Sequence, residues 1–207
     1  KMNTISSAYS ELSKSKSEYV QFYMKNHEQI PTWIMIKVVN FSTFIDVLQN
    51  SKTNVTHAIC KLYSMYDDNN LPNVKLLIGS LHWLRRVRNS CAHNERVFCI
   101  HQTQARNNSA SGRILDPYYA QLPTSYSRCT EKNIFDILVY FKYFLPKEEV
   151  APMIMELKNM LIELQGTLQP NAFDNVRGQM GIKNLSVLDT LISLPKSKIE
   201  YHKFDTL

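Results

Sequence analysis

Glycine is scarce in this chain, five residues among 207, and that shortage argues against a β-sandwich or any fold built on many tight turns. The four cysteines, Cys60, Cys91, Cys99 and Cys129, form no C-x-x-C pair. Neither a zinc site nor a disulfide framework is expected, and reduced thiols in a cytoplasm are the simpler reading. No apolar stretch opens the chain, because Lys1 to Lys16 is polar and Ser-rich, unlike a secretory leader. No run suits a bilayer either. The most apolar one, Trp33 to Leu48, is short and broken by Lys37, Asn40 and Asp46, so no membrane partner is expected. No carboxylate or His/Cys cluster has ligand spacing, so no metal and no cofactor are expected.

Arginine is missing from the first 84 residues. All eight arginines lie at or beyond position 85, and Arg85, Arg86, Arg88 and Arg96 fall within twelve residues. The net charge of +6 says little alone, but this cluster builds a local field for phosphates, and Arg85, Arg86 and Arg96 are candidate RNA contacts. A solvated helix face is the plain alternative.

The remaining pattern is helical. Residues 1–16 read as a polar lead-in. Ser17 is placed to cap a helix over Glu18 to His27 with Tyr19, Phe22 and Tyr23 facing inward. Pro31 suits the first turn of a helix running through Trp33, Phe41, Phe44 and Leu48. A third helix is expected from Val55 to Tyr66. After Pro72 comes a long one, with Leu77, Leu81, Leu84 and Val87 at helical spacing. Residues 101–129, rich in Ser, Asn, Pro and Tyr, read as a long loop. Two apolar stripes follow, from Ile134 to Leu145 and from Val150 to Leu164. The tail from Pro170 reads as peripheral, with a short helix over Leu185 to Leu194. The expectation is an all-α bundle over residues 17–169 and a C-terminal tail over 170–207.

Chemistry concentrates in Arg88-Asn89-Ser90-Cys91-Ala92-His93. A histidine near neutral pKa takes a proton from a ribose 2′-hydroxyl or gives one to a departing 5′-oxygen. An arginine keeps its charge, and its fork fits the anionic transition state. The bare spacing is weak, and the chain holds a second copy, Arg96 to His101. The first copy has a long helix before it, small residues within it and Asn89 beside its arginine. Arg88 and His93 are about 140° apart around an ideal helix, whereas Asn89 and His93 share a face, with Arg86 two turns earlier. Asn89 is therefore placed to fix the histidine tautomer. A symmetric homodimer would bring arginines and histidines from both copies to one phosphate.

The run Leu84 to Phe98, containing Arg-Asn-Ser-Cys-Ala-His, resembles the signature of the Abi-like (abortive infection) family, a branch of the HEPN superfamily of helical ribonucleases. Ser17-Glu18-Tyr19-Val20, Ile30-Pro31-Thr32-Trp33 and Phe41-Ser42-Thr43-Phe44 are similar to further family elements, as is Gln179-Met180-Gly181-Ile182. The resemblance implies a HEPN-like helical domain and a bacterial antiphage or toxin-type ribonuclease. It also implies an antitoxin partner, RNA or protein, with Arg88 and His93 as the catalytic pair and Asn89 in support.

Three classes of function stay open at this level: a metal-independent endoribonuclease, a module that binds RNA or nucleotides without cutting them, and a helical adaptor in which Arg88 and His93 serve packing. Elsewhere plain readings are preferred. His57 and His82 read as partly exposed or hydrogen-bonded, and Trp83 as core. Tyr118, Tyr119 and Tyr126 read as packed on their own domain, with base stacking the alternative. Lys14, Lys16 and Lys25 read as solvated.

Overall fold

The computed structural model describes residues 2–67, 69–103, 117–127 and 131–195. It is almost wholly helical, as the glycine shortage and the periodicity require, and divides into two compact units, Lys1–Thr56 and His57–Leu207.

The first unit holds α1 (Met2–Lys14), α2 (Glu18–Asn26), α3 (Thr32–Val38), α4 (Phe41–Gln49) and the start of α5 (Thr53–Leu62). The expected lead-in is therefore mostly helix. Ala8 and Leu12, one turn apart, are buried, and this narrow stripe holds α1 through tertiary packing where its Ser-rich sequence offers little propensity. Leu12, Val20 and Ile34 form the centre of a core, with Tyr23, Met24, Ile30, Met35 and Val38 packed around them. The single helix expected beyond Pro31 is two. Asn40 caps α4, its side chain accepting from the Thr43 amide at 3.0 Å. Glu11 of α1 fixes that break, accepting from the Asn40 amide and its side-chain Nδ2, each at 2.6 Å, and from Thr43 Oγ1 at 2.5 Å. Capping outcompetes continuation at this point. The inward face of α2 also differs from expectation. Val20 is buried, while Tyr19 and Phe22 are 42% and 57% exposed.

The second unit continues with α6 (Val74–Ala92), a 3-10 turn (Val97–Cys99), β1 (Gln102–Thr103), α7 (Pro117–Ala120), α8 (Thr124–Ser127) and β2 (Glu131–Lys132). Then come α9 (Ile134–Phe144), α10 (Lys147–Thr167), α11 (Pro170–Gln179) and α12 (Ser186–Ser193). The third helix ends at Leu62, short of the expected Tyr66. The two short strands pair antiparallel, Gln102 with Lys132 and Thr103 with Glu131. Helix α9 is the centre of the unit, buried continuously from Phe135 to Tyr140 and packed against α6 and α10.

The long loop expected over 101–129 is only partly a loop. Tyr118, Tyr119 and Tyr126 are buried and pack on α9 rings; residues 104–116 and 128–130 lie outside the described residues. Nor is the C-terminal segment peripheral. Phe173, Met180, Ile182, Val187, Leu188 and Leu191 are buried, and α12 packs on α10. Pro170 starts a helix instead of breaking one, because proline suits the first turn.

Candidate functional site

Helix α6 starts where the Asn73 side chain accepts from the Leu76 amide at 3.0 Å, a cap that also explains why the helix begins just beyond Pro72. Its inner face, Leu76, Leu77, Ser80, Leu81, Trp83, Val87 and Ser90, is buried. Trp83 anchors it, its Nε1–H donating to the Asn133 carbonyl at 3.0 Å. The anchor is itself fixed. Asn133 and Asp136 form a capping box at the start of α9, Tyr119 donates its hydroxyl proton to Asp136, and the Met180 carbonyl accepts from the Phe135 amide at 3.0 Å.

The C-terminal end of α6 closes in a Schellman arrangement. The Glu95 amide donates to the Ser90 carbonyl at 2.9 Å and the Asn94 amide to the Cys91 carbonyl at 3.1 Å. Asn94 takes the left-handed position at φ +55°, a place usually filled by glycine or asparagine. His93 is consequently the helix cap, and Arg96 lies beyond the helix, at the start of the 3-10 turn.

An open groove along this end is lined by His82, Arg85, Arg86, Asn89, Ser90, His93 and Glu95. It thus gathers two of the candidate RNA contacts with the candidate histidine and asparagine. The Arg86 guanidinium lies 5.6 Å from the Trp83 ring centroid, a placement that steadies a long side chain. Arg88 is not in the groove lining. Its Nη1 donates to Asn89 Oδ1 at 3.1 Å, so Asn89 joins the arginine to the groove edge instead of holding the His93 ring. Arg88, Asn89 and His93 are all exposed. Arg96 and His101 are not brought together in this groove. His101, its Nδ1 3.2 Å from the Cys99 carbonyl, lines a separate depression with Cys99, Glu131 and Asp174.

His82, read from the sequence as partly exposed or hydrogen-bonded and given no role, is half-buried and lines the groove with His93. Its signal was legible: 82, 86, 89 and 93 recur at spacings of four, three and four, one stripe of a helix. Among the described residues, no three His, Cys, Asp or Glu side chains converge as a metal site, and no helix is long and apolar enough to cross a membrane.

Residues 1–99 match the family model described as Abi-like protein, just under half of the chain. The matched stretch runs from α1 through the 3-10 turn and so includes every groove residue. No curated protein and no solved structure matches the chain.

Proposed function

We propose that this chain is a metal-independent endoribonuclease of the abortive-infection type, with the HEPN-like mechanism and fold, acting on RNA in the cytoplasm of a bacterium under phage attack. The observation that carries the reading is the groove at the end of α6. It sets the His93 imidazole at the helix terminus, beside Asn89 and two arginines, with Arg88 tied to its edge. The Abi-like match over the same residues supports it. Packing is a poor account of Arg88 and His93, since both are exposed.

In this mechanism His93 removes the 2′-hydroxyl proton, and the 2′-oxygen attacks the adjacent phosphorus. The P–O5′ bond breaks, and the departing oxygen takes a proton from a second imidazole. The products are a 2′,3′-cyclic phosphate and a 5′-hydroxyl. Arg88, Arg85 and Arg86 balance the charge that accumulates on the phosphoryl oxygens. Arg96 extends the same positive field. The second imidazole comes from a partner copy, which makes the working form a homodimer, and an antitoxin, RNA or protein, would restrain it by covering this groove.

Labelled single-stranded RNA incubated with the pure chain in EDTA tests the reading. Cleavage to cyclic-phosphate ends is expected, blocked by a 2′-deoxy nucleotide at the cut position. Replacing His93 by Ala lowers the rate by about 10²- to 10⁴-fold for loss of proton transfer, and replacing Arg88 by Ala lowers it by about 10²- to 10³-fold for loss of charge stabilisation, with unchanged thermal melts in both. Binding without any cutting would instead favour a non-catalytic RNA- or nucleotide-binding module. Parental cleavage rates in both folded variants would sink the site assignment.

A further inference from the structure

The first unit turns Tyr19, Phe22 and Trp33 outward. On α2, Val20 faces the core, while Tyr19 and Phe22 are exposed; on α3, Ile34 faces the core, while Trp33, Ile36 and Lys37 are exposed. Trp33 is 49% exposed. These rings are braced. Tyr23, half-buried against the core, meets Trp33 edge to face at 5.7 Å and Phe22 at 5.8 Å, and it stacks on His27 at 4.8 Å. The Lys37 ammonium sits between two of the outer rings, 5.4 Å from the Trp33 centroid and 5.9 Å from that of Tyr19. Lys37 and Lys14 also line a shallow depression beside Tyr19. The one acid of that depression, Glu11, is already held by three donors.

We propose that this α2–α3 face is a second RNA site, one that binds unpaired bases by stacking them on Trp33, Tyr19 and Phe22 while Lys37 and Lys14 meet the phosphates. Exposed, rigid rings interleaved with cations are what a single strand needs, because every base has a π-face and every linkage a negative charge. An apolar protein partner fits worse. It would have to strip water from the Lys37 ammonium at the middle of the patch without supplying an anion. The site lies in the unit that lacks arginine and the α6 groove, and it requires no cleavage. Failure of the ribonuclease reading therefore leaves it standing, and the reverse also holds.

Trp33 is the exposed reporter, and the emission of the chain's other tryptophan, Trp83, 1% exposed and packed against Arg86 of the α6 groove, is read alone in the Trp33→Phe variant and subtracted. The experiment titrates a short unpaired RNA into the full chain carrying His93→Ala, follows tryptophan emission and measures affinity by anisotropy. Three ligands are compared: the RNA, an abasic strand of equal length and charge, and the same RNA as a duplex. Saturable quenching by the unpaired RNA, with the abasic strand and the duplex much weaker, is expected. Trp33→Ala should reduce affinity by roughly 5- to 150-fold, the factor of one stacked base, and Trp33→Phe should keep most of it. Circular dichroism melts check that both variants fold. Equal quenching by the abasic strand would overturn the proposal, as would RNA binding that leaves Trp33 emission unchanged. Emission that shifts with protein concentration without RNA would show a second copy covering the face, and would overturn it too.

Discussion

At residue scale the most constrained position is Gly181. Its φ of +77° is rarely adopted by residues with a side chain, and a Cβ there would come within 2.1 Å of the Asn133 amide group. Asn133 cannot retreat cheaply, since it caps α9 and its carbonyl receives the Trp83 indole. Gly181→Ala should lower stability by about 1–3 kcal/mol from backbone strain alone, read as a fall in Tm. An unchanged Tm would mean that Asn133 is not a fixed point. The Met-Gly turn was visible in the sequence, but its partner was not, because nothing in Asn133-Ile134-Phe135-Asp136 shows which distant backbone will lie over it. The same holds for Asn89. Its helical face was readable from spacing, whereas its bond to Arg88 depends on side-chain rotamers that spacing leaves open.

At the scale of elements, α12 is tied down by a buried cation. Lys142 of α9 donates to the Leu191 and Leu194 carbonyls at 2.5 and 2.6 Å and lies 5.1 Å from the Tyr118 ring. Burial first, and then the charge of Lys147, lower its pKa from 10.5 to about 8. Below about pH 8 it is protonated folded and unfolded, and the full cost of burying the charge is present. Between about 8 and 10.5 the unfolded chain holds more protons, so this group makes stability rise with pH. Burial raises the Tyr126 pKa, which acts in the opposite sense at higher pH but is common to parent and variant. The parent's Tm relative to Lys142→Met should therefore climb from pH 8 to 10.5; a flat difference would contradict the placement of Lys142. A lysine inside a C-terminal helix contact is not legible from sequence, where Lys142 looks like a gap in an apolar stripe. Gly178 and Gly181, which break the helical period, made the segment from Pro170 look peripheral.

At the scale of the whole molecule, the all-α class followed from composition and period, while the division near Thr56 did not, because it falls inside α5 with no glycine or proline to mark it. The placement of Arg88 outside the groove that holds His93 sharpens the case for a composite site. A twofold axis near Ala92 would cover exposed Cys91 and Ala92 and bring the partner's arginine toward this groove. Specific activity measured with light scattering across a dilution series should fall as dimers dissociate; full activity in a monomeric sample would rule the composite site out. Helix α6 is unevenly buried along its length. Its first three turns carry most of its buried side chains, and its last turn, from Arg88 onward, is exposed except for Ser90. Solvent exchange should therefore run on two clocks within one helix. Amide deuteration near Trp83 should need opening of the core, whereas from Asn89 to Glu95 it should proceed by fraying alone. The end of α6 that carries His93 can then reshape while the rest of the helix stays folded.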